Sequence, residues 1–278
     1  MADQRQRDNE QSCCIIIPAR FASTRFPGKP LSRLTGGGGV ERSLIEWTWR
    51  AARKVPDVGL VLVATDDRRI ADEVERFGGT AIMTPTECAN GTERCAAAIG
   101  ALTSVPDIIV NFQGDAPLTP PEIVAAVIGR MRDEPALSVA TPAILCGEET
   151  YRHLINDRAA GRAGGTTVVF DRHQHALYFS KNVLPFGASS NDGMAYPVHL
   201  HLGVYAYRAD ALAAYAASPP SALELAEGLE QLRFLDMGVR VGTVVCRSPE
   251  GSMIELNNPT DAMLIEHELQ RRSHWEIP

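Results

Sequence analysis

The sequence lacks the short motifs that mark several common classes of protein. Its six cysteines include no CxxC pair, which argues against a zinc ribbon or a thioredoxin-like site. It contains no GxxxxGK[ST], and no GxGxxG follows the first predicted strand, so neither a P-loop nor a dinucleotide-binding oxidoreductase is indicated. It has no long apolar run and no signal peptide, and we therefore expect a reduced, cytoplasmic setting without a membrane partner.

An excess of positive charge is also missing. The chain has 27 Lys and Arg residues against 34 Asp and Glu residues, a formal net charge of -7. Nucleic-acid-binding domains normally carry a basic face, so this balance argues against a nucleic-acid partner. A basic cluster in such a chain is local and suits a small anionic ligand. With 278 residues and 45% hydrophobic content, the chain is long enough for one large domain or two small ones.

Short apolar runs alternate with helical patterns along the first half of the chain. We predict strands at residues 13–18, 59–65, 80–84 and 107–112, and helices at 42–54, 67–77, 92–102 and 121–132. Further strand runs follow, with fewer helices between them, at residues 136–144, 165–171, 176–180, 199–208 and 240–246. This order predicts an α/β fold with a mostly parallel, Rossmann-like sheet and a smaller mixed α/β extension. Glycine-rich or polar composition predicts flexible segments at 34–43 and 187–197.

The loop after the first predicted strand concentrates positive charge. In "PARFASTRFPGKP" three cations, Arg20, Arg25 and Lys29, stand among three prolines that stiffen the path. In an open α/β sheet, ligands bind beyond the carboxyl ends of the strands. Arginine grips a polyphosphate with a planar fork, and lysine adds a point charge. A solvated surface loop is the alternative, but the stiff turns and the position in the sheet favour phosphate binding.

Two other predicted strand ends carry residues that suit a nucleotide and a metal ion. Asp115 follows a buried strand in "NFQGDAP", and Mg²⁺ usually takes one or two protein carboxylates plus substrate phosphates. Gly91 and Thr92 in "ANGTER" open a helix, where backbone donors can approach a base or a phosphate. An ordinary turn aspartate and an ordinary helix cap are the alternatives.

The second half of the chain gives weaker signals. His199 and His201 lie two apart, on one face of a predicted strand, but no third ligand for a transition metal is evident. A structural or substrate-contacting role is therefore favoured for these histidines. Residues 224–238 predict one helix, and we interpret its Glu224 and Glu227 as part of a solvated face with internal salt bridges.

These blocks, in this order, resemble the CMP-KDO synthetase family, the 3-deoxy-manno-octulosonate cytidylyltransferases. The resemblance runs from about Cys14 to Leu269 and rests on "IIIPARFASTRFPGKPL", "VATDDRRIADEVERFGG", "MTPTECANGTERCAAA", "VNFQGDAP", "ALYFSKNVLPF", "HLGVYAYR" and "LELAEGLEQLR". It implies a nucleotidyltransferase fold that transfers CMP from CTP, releases pyrophosphate, uses magnesium as cofactor and forms a homodimer. We expect a flexible tail at residues 1–12 and a single cytidylyltransferase domain at 13–278, with a dimerisation and acceptor lobe around 176–236.

The resemblance also implies roles for individual residues. The catalytic residues would be Arg20, Lys29 and Asp115. The CTP-binding residues would be Ala19, Arg20, Ser23, Arg25, Lys29, Gly91, Thr92 and Gln113. The acceptor-binding residues would be Arg94, Lys181, His201, Tyr205, Glu230 and Gln231. The metal-binding positions would be Asp115 and Asn257.

Several positions depart from the family blocks. The departures are Ala116 for a glutamate, Thr167 for a lysine, Lys181 for an arginine, Leu200 for an arginine, and Asn257 for the second magnesium-binding aspartate of "DTPED". Losing a carboxylate near the acceptor lowers its repulsion of an anion, and an acceptor that is already ionised needs no deprotonation.

We therefore hypothesise CMP transfer to a small acidic acceptor, a phosphonate such as phosphonoformate. The phosphonoformate cytidylyltransferases of antibiotic pathways are similar to KDO synthetases. The alternatives are KDO itself as the acceptor, for lipopolysaccharide synthesis, and a non-catalytic nucleotide-binding protein.

Overall fold

The computed structural model describes residues 13–22, 26–188, 197–248 and 253–272. The chain divides into two compact units, residues 1–125 with 249–278, and residues 126–248. The predicted acceptor lobe at 176–236 falls in the second unit, and the single domain at 13–278 stays a prediction. The predicted tail at 1–12 lies outside the described residues, as do residues 189–196 of the segment predicted to be flexible.

The described strands and helices are numbered here in chain order. The strands are β1 (Cys13–Ala19), β2 (Arg33–Thr35), β3 (Glu41–Ser43), β4 (Leu60–Thr65), β5 (Thr80–Met83), β6 (Ile108–Asn111), β7 (Val139–Leu145), β8 (Thr166–Phe170), β9 (Ala176–Ser180), β10 (His199–His201), β11 (Tyr205–Tyr207) and β12 (Val241–Arg247). The α-helices are α1 (Leu44–Ala52), α2 (Arg68–Arg76), α3 (Gly91–Ile99), α4 (Pro121–Asp133), α5 (Glu148–Ala159), α6 (Ala209–Ala217), α7 (Ala222–Glu227), α8 (Leu232–Asp236) and α9 (Ala262–Arg271). None of the helices formed by the described residues is long and apolar enough to cross a membrane.

The first unit is built on a parallel sheet in the order β5-β4-β1-β6. Ile15, Ile16 and Ile17 of β1 are 0% exposed. A parallel strand covered on both faces is apolar throughout rather than alternating, which explains this unbroken β-branched run. The predicted strands and helices of this half are confirmed, with bounds that differ by a few residues. The carboxyl ends of β1, β4 and β6 therefore lie at one edge of the sheet, as the prediction required.

The glycine-rich segment at 34–43, which we predicted to be flexible, forms a hairpin. Strands β2 and β3 pair antiparallel, and a 3₁₀ turn at Gly37–Gly39 joins them. The indole of Trp47 donates to the carbonyl of Leu34 at 2.9 Å, and a side chain at Gly36 would collide with the same ring at 2.4 Å. Gly36 therefore allows the hairpin to pack closely on the Trp47 ring.

The second unit is organised around β7, which has neighbours of both orientations. Strand β12 pairs with β7 in parallel, whereas β10 and β11 pair with it antiparallel. Strands β10, β8 and β9 continue the antiparallel order. The predicted mixed extension is thus confirmed, although the run at 199–208 forms two strands, β10 and β11, instead of one.

The segment at 224–238 departs from its prediction. It forms two short helices, α7 and α8, because Gly228 adopts a left-handed conformation with φ 62° and ends the first. Glu224 is buried rather than solvated, and its Oε2 accepts from Nε of the buried Arg233 at 2.6 Å. Glu227 accepts from the Ser180 hydroxyl at 2.7 Å. The solvated face is therefore wrong for the buried Glu224, whereas the predicted salt bridge within the segment is present between Glu224 and Arg233. Glu227 is half-buried and binds a neighbouring strand end.

Candidate active site

The loop after β1 is closed at its base by backbone and ring contacts. The amide of Gly28, which has φ 72°, donates to the carbonyl of Phe21 at 3.0 Å. The guanidinium of Arg69 lies 3.4 Å from the centroid of the Phe21 ring, a cation–π contact. Arg20 is exposed at the start of the loop. The loop positions Ser23 and Arg25 lie outside the described residues, so their part in CTP binding stays a prediction.

Lys29 and Asp115 come together from distant parts of the first unit. Lys29 opens a 3₁₀ turn, and its Nζ lies 2.5 Å from Oδ2 of Asp115, which follows β6. The backbone of Gly114 is pressed against the end of β1, since a Cβ there would lie 2.6 Å from the carbonyl oxygen of Pro18. The Thr48 hydroxyl donates to the Gly114 carbonyl at 3.1 Å. The predicted cation and the predicted metal-binding carboxylate thus share one place at the carboxyl edge of the sheet.

Glu255 also belongs to this place, and sequence reasoning missed it. Burial and the nearby Asp115 carboxylate raise the pKa of Glu255 to about 7, whereas the amide of Asn257 and the ammonium of Lys29 act in the opposite direction. The backbone amide of Leu256 donates to the carbonyl of Asp115 at 2.9 Å, which fixes the segment beside the Lys29–Asp115 pair. A glutamate two residues before Asn257 was the signal available in the sequence.

The described residues contain no group of three or more His, Cys, Asp or Glu side chains that could hold a metal ion. A cation here would be held by fewer carboxylates together with oxygens of a substrate.

The turn at the start of α3 is tightly packed against neighbouring strand ends. Asn90 caps the helix by accepting from the amide of Glu93 at 2.9 Å. A side chain at Gly91 would lie 3.3 Å from Nδ2 of Asn111 and 3.6 Å from Nε2 of Gln113. Gly91 therefore lies close to Gln113, as expected of two CTP-binding residues, while Thr92 is fully buried. Ala19, at the end of β1, is buried opposite Thr65 of β4.

Arg94 of α3 is buried and occupied by protein partners. It is 3% exposed, its Nη2 lies 2.9 Å from Oδ2 of Asp66, and its Nη1 donates to the Thr84 hydroxyl at 2.6 Å. These contacts tie α3 to the segments that follow β4 and β5. Binding of the acceptor by Arg94 stays a prediction.

His201, in the second unit, is held in one tautomer by Thr141. The Thr141 hydroxyl donates its only proton to the Val204 carbonyl at 2.8 Å, so it accepts from Nε2 of His201 at 3.0 Å. Nδ1 of His201 is therefore the unprotonated nitrogen, an acceptor of hydrogen bonds. Burial lowers the pKa of His201 to about 3, which keeps the ring neutral. The Tyr205 ring packs against it with centroids 5.3 Å apart.

The other predicted acceptor-binding residues lie around Gly228. Gln231 is 2% exposed, and its Nε2 has no hydrogen-bond partner among the described residues. An unpaired buried amide is costly, so this donor suits a ligand. Glu230 is half-buried, and its carbonyl accepts from the Tyr215 hydroxyl at 3.3 Å. The ammonium of Lys181 would lie 2.8 Å from a side-chain carbon added to Gly228.

Two of the departures from the family blocks face away from His201. Leu200 and Thr167 are partners across the β10–β8 ladder. Successive side chains of a strand point to opposite faces, so both lie on the face opposite His201. Leu200 packs on the cluster that contains Leu154 and Val183, and the Thr167 hydroxyl donates to the Asn182 carbonyl at 2.6 Å. These substitutions therefore leave the His201 face intact.

The fold and its strand-end residues define the chain as a nucleotidyltransferase, with an open parallel sheet, a Lys–Asp pair and a glycine turn at a helix start. The comparisons place it more narrowly. The cytidylyltransferase family model matches residues 14–241. The chain belongs to the CMP-KDO synthetase family of cytidylyltransferases, and its activity is CTP-dependent cytidylyl transfer.

Individual relatives support this placement. A 3-deoxy-manno-octulosonate cytidylyltransferase from Maricaulis maris is 45% identical over 255 residues, which are 92% of this chain and 96% of that protein. A protein of the same name from Chlamydia abortus is 38% identical over 256 residues, 91% of this chain and 92% of its own length. A solved CMP:2-keto-3-deoxy-manno-octonic acid synthetase complexed with CTP superimposes with a TM-score of 0.80 at 32% identity, covering 94% of this chain and 99% of that one.

A 4-diphosphocytidyl-2C-methyl-D-erythritol synthase from Anaerococcus prevotii shares the fold. Its TM-score is 0.57 at 15% identity, over 96% of this chain and 99% of that one. The two curated relatives and the CTP complex are named for KDO, the alternative acceptor stated above, and none of them is named for a phosphonate, the main expectation.

Proposed function

We propose that this chain transfers CMP from CTP to KDO and releases pyrophosphate. The observation that carries the proposal is the His201 face of the second unit. It offers a neutral imidazole acceptor, and the same unit holds the unpaired Gln231 amide. A hydroxylated acid presents both hydroxyl donors and carboxylate acceptors, which these two groups can bind. The relatives named as 3-deoxy-manno-octulosonate cytidylyltransferases support the same acceptor.

The reaction is a displacement at the α-phosphorus of CTP. An oxygen of KDO forms a bond to that phosphorus, its hydroxyl proton leaves to solvent or a base, and the bond to the pyrophosphate oxygen breaks. Catalysis of such a transfer is mostly positioning and charge neutralisation. Lys29 and Arg20 supply positive charge for the triphosphate, and the Gly91 turn and Gln113 supply hydrogen-bonding groups for the base.

The donor set near Asp115 suits magnesium, which prefers oxygen ligands and takes one or two carboxylates with substrate phosphates. The Asp115 carboxylate and the side-chain oxygen of Asn257 are such ligands. When bound, the ion would neutralise charge on the triphosphate and on the leaving pyrophosphate. Lys29, now the counter-ion of Asp115 at 2.5 Å, would then be available to the triphosphate.

A phosphonate acceptor is the second candidate, because Asn257 lacks the negative charge of the family's aspartate. An ionised phosphonate would approach an uncharged side chain with less repulsion. The substitutions at Thr167 and Leu200 do not add to this case, since both lie on the face opposite His201.

Product analysis tests the proposal. The full chain would be incubated with CTP, Mg²⁺ and KDO, with pyrophosphate release followed continuously and the CMP-linked product identified by ³¹P NMR. We expect pyrophosphate release that requires KDO, with formation of a CMP–KDO ester. Release with phosphonoformate but none with KDO would support the second candidate. Tight CTP binding without turnover of either acid would support the non-catalytic alternative.

A further inference from the structure

We propose that Glu255 supplies the second carboxylate for a divalent cation at Asp115, in place of the carboxylate that Asn257 lacks. The inference rests on the proposed function, in which that cation acts with CTP. The negative charge that is missing at position 257 would then be supplied from position 255.

The backbone that follows Glu255 is fixed by contacts of Leu256 and Asn257. Leu256 is 0% exposed and packs in a core cluster with Trp47 and Leu118. Its amide donates to the Asp115 carbonyl at 2.9 Å, so the segment runs directly alongside the metal-binding residue. Farther on, the amide of Asn257 donates to Oδ2 of Asp261 at 2.9 Å.

The side chains of Glu255 and Asn257 lie next to each other. Nδ2 of Asn257 lies 3.5 Å from Oε2 of Glu255. The backbone between them turns tightly, since the amide of Asn257 donates to the carbonyl of Glu255 at 3.0 Å, the hydrogen bond of a γ-turn.

The charged groups around Glu255 favour binding of a cation. The hydrogen bond from Leu256 to Asp115 places Glu255 one residue along the chain from a direct contact with the Lys29–Asp115 pair. Lys29 is engaged by Asp115 at 2.5 Å. Among the residues that the structure describes, no lysine or arginine forms an ion pair with Glu255. The place thus holds two half-buried carboxyl groups and one ammonium, and a hard divalent cation would favour the ionised form of both carboxyl groups.

The length of the glutamate side chain suits this substitution of one carboxylate for another. The turn at Leu256 keeps residues 255 and 257 close together, and their side chains are 3.5 Å apart. Because a glutamate has one methylene more than an aspartate, a carboxylate attached at 255 can extend toward the place of the side chain at 257.

Mn²⁺ binding tests this assignment without requiring turnover. The affinity of the CTP-loaded full chain for Mn²⁺ would be measured by electron paramagnetic resonance for four proteins: the unaltered chain, Glu255→Gln, Glu255→Gln with Asn257→Asp, and Glu149→Gln. Glu149 is an exposed glutamate of α5 and is the matched control. We expect Glu255→Gln to weaken Mn²⁺ binding at least about tenfold, as loss of a ligand or its support does. The added Asn257→Asp should restore most of the affinity, and Glu149→Gln should not change it.

Binding within twofold of the unaltered chain in Glu255→Gln would overturn the proposal, as would a loss that Asn257→Asp fails to restore. If Glu255→Gln does not fold, Glu255→Asp replaces it, since it keeps the charge and shortens the reach. Weaker binding would then support the assignment, and unchanged binding would overturn it. These titrations contain no acceptor, so they test the Glu255 assignment separately from the acceptor. If the Mn²⁺ affinities follow the expected pattern but KDO is not turned over, the proposed function is rejected and the Glu255 assignment stands.

Discussion

The two groups of predicted binding residues differ in the physical means by which they are built. The donor-side residues of the first unit are charged groups and glycines at strand ends, with Lys29 and Asp115 in direct contact. The acceptor-side residues of the second unit include a neutral imidazole and a buried amide, those of His201 and Gln231. The first group suits recognition by charge, and the second suits recognition by hydrogen bonds and shape. Substitutions should therefore have different signatures in the two groups.

The largest effect is expected at the charge of the donor side. Replacing Asp115 with asparagine removes the carboxylate while keeping the size of the side chain. We expect kcat/KM to fall on the order of a thousandfold, because one interaction with developing charge is typically worth about that much. Steady-state pyrophosphate release measures the loss, and Asp133→Asn, at an exposed position of α4, is the control. A fall of less than tenfold would remove Asp115 from the catalytic residues.

Packing of the donor side gives the next effect. In Gly114→Ala the added Cβ would meet the Pro18 carbonyl oxygen at 2.6 Å, so the backbone must shift. We expect the free energy of unfolding to fall by about 1–3 kcal/mol. Gly129→Ala is the matched control, since no atom lies within 4 Å of its added Cβ and alanine favours the helix. Urea unfolding of both variants measures the difference, and equal stabilities would show that the close approach at Gly114 is unimportant.

The acceptor side should respond in KM for the acceptor alone. In His201→Gln, the amide nitrogen can keep the hydrogen bond to Thr141, but the acceptor nitrogen Nδ1 is lost. We expect KM for KDO to rise about tenfold, the effect of one hydrogen bond, with KM for CTP unchanged. His153→Gln, an exposed histidine of α5, is the control. A rise in KM for CTP of the same size would contradict the division into donor-side and acceptor-side residues.

The same histidine should make stability depend on pH. The folded protein holds His201 neutral, with its pKa lowered to about 3, whereas the unfolded chain binds a proton below its ordinary pKa near 6.5. The contribution to stability is therefore complete above pH 6.5 and is lost as pH falls from there toward 3. Between pH 7.5 and pH 5, we expect the unaltered chain to lose on the order of 1 kcal/mol more than His201→Gln in urea unfolding. Equal losses would contradict a folded state in which the His201 ring stays neutral.

The smallest effect is expected at Leu200. Leu200→Arg restores the residue of the family block, but on the face opposite His201. We expect kcat/KM for KDO to stay within about twofold of the unaltered chain, an energy difference of roughly 0.4 kcal/mol. A large gain in kcat/KM would show that position 200 contacts the acceptor.

The strand and the basic loop of the donor side could be predicted from the sequence because their signals are local. A β-branched run covered on both faces, followed by cations, prolines and glycine, indicates the strand and predicts a place where a phosphate binds. The rule that strand ends meet at one edge placed Lys29 and Asp115 at the same edge, but it did not predict their ion pair.

Other features depended on contacts that no local pattern shows. The burial of Glu224 depends on Arg233, nine residues away along the chain and beyond the helix break at Gly228. The position of Glu255 depends on the backbone hydrogen bond from the Leu256 amide to the Asp115 carbonyl, which joins residues far apart in the chain. The sequence shows that Leu200 departs from the family block, but it does not show on which face of the sheet the side chain lies.

The ratio of kcat/KM for KDO to kcat/KM for phosphonoformate, measured by pyrophosphate release from CTP and Mg²⁺, tests the central claim most directly. An acceptor side built from His201 and Gln231 recognises hydroxyl and carboxylate groups together, and a site that hydrogen-bonds its substrate rejects analogues lacking those groups strongly. We predict a ratio of at least about one hundred in favour of KDO. A ratio below one would contradict the account and would return the phosphonate acceptor as the better explanation of Asn257.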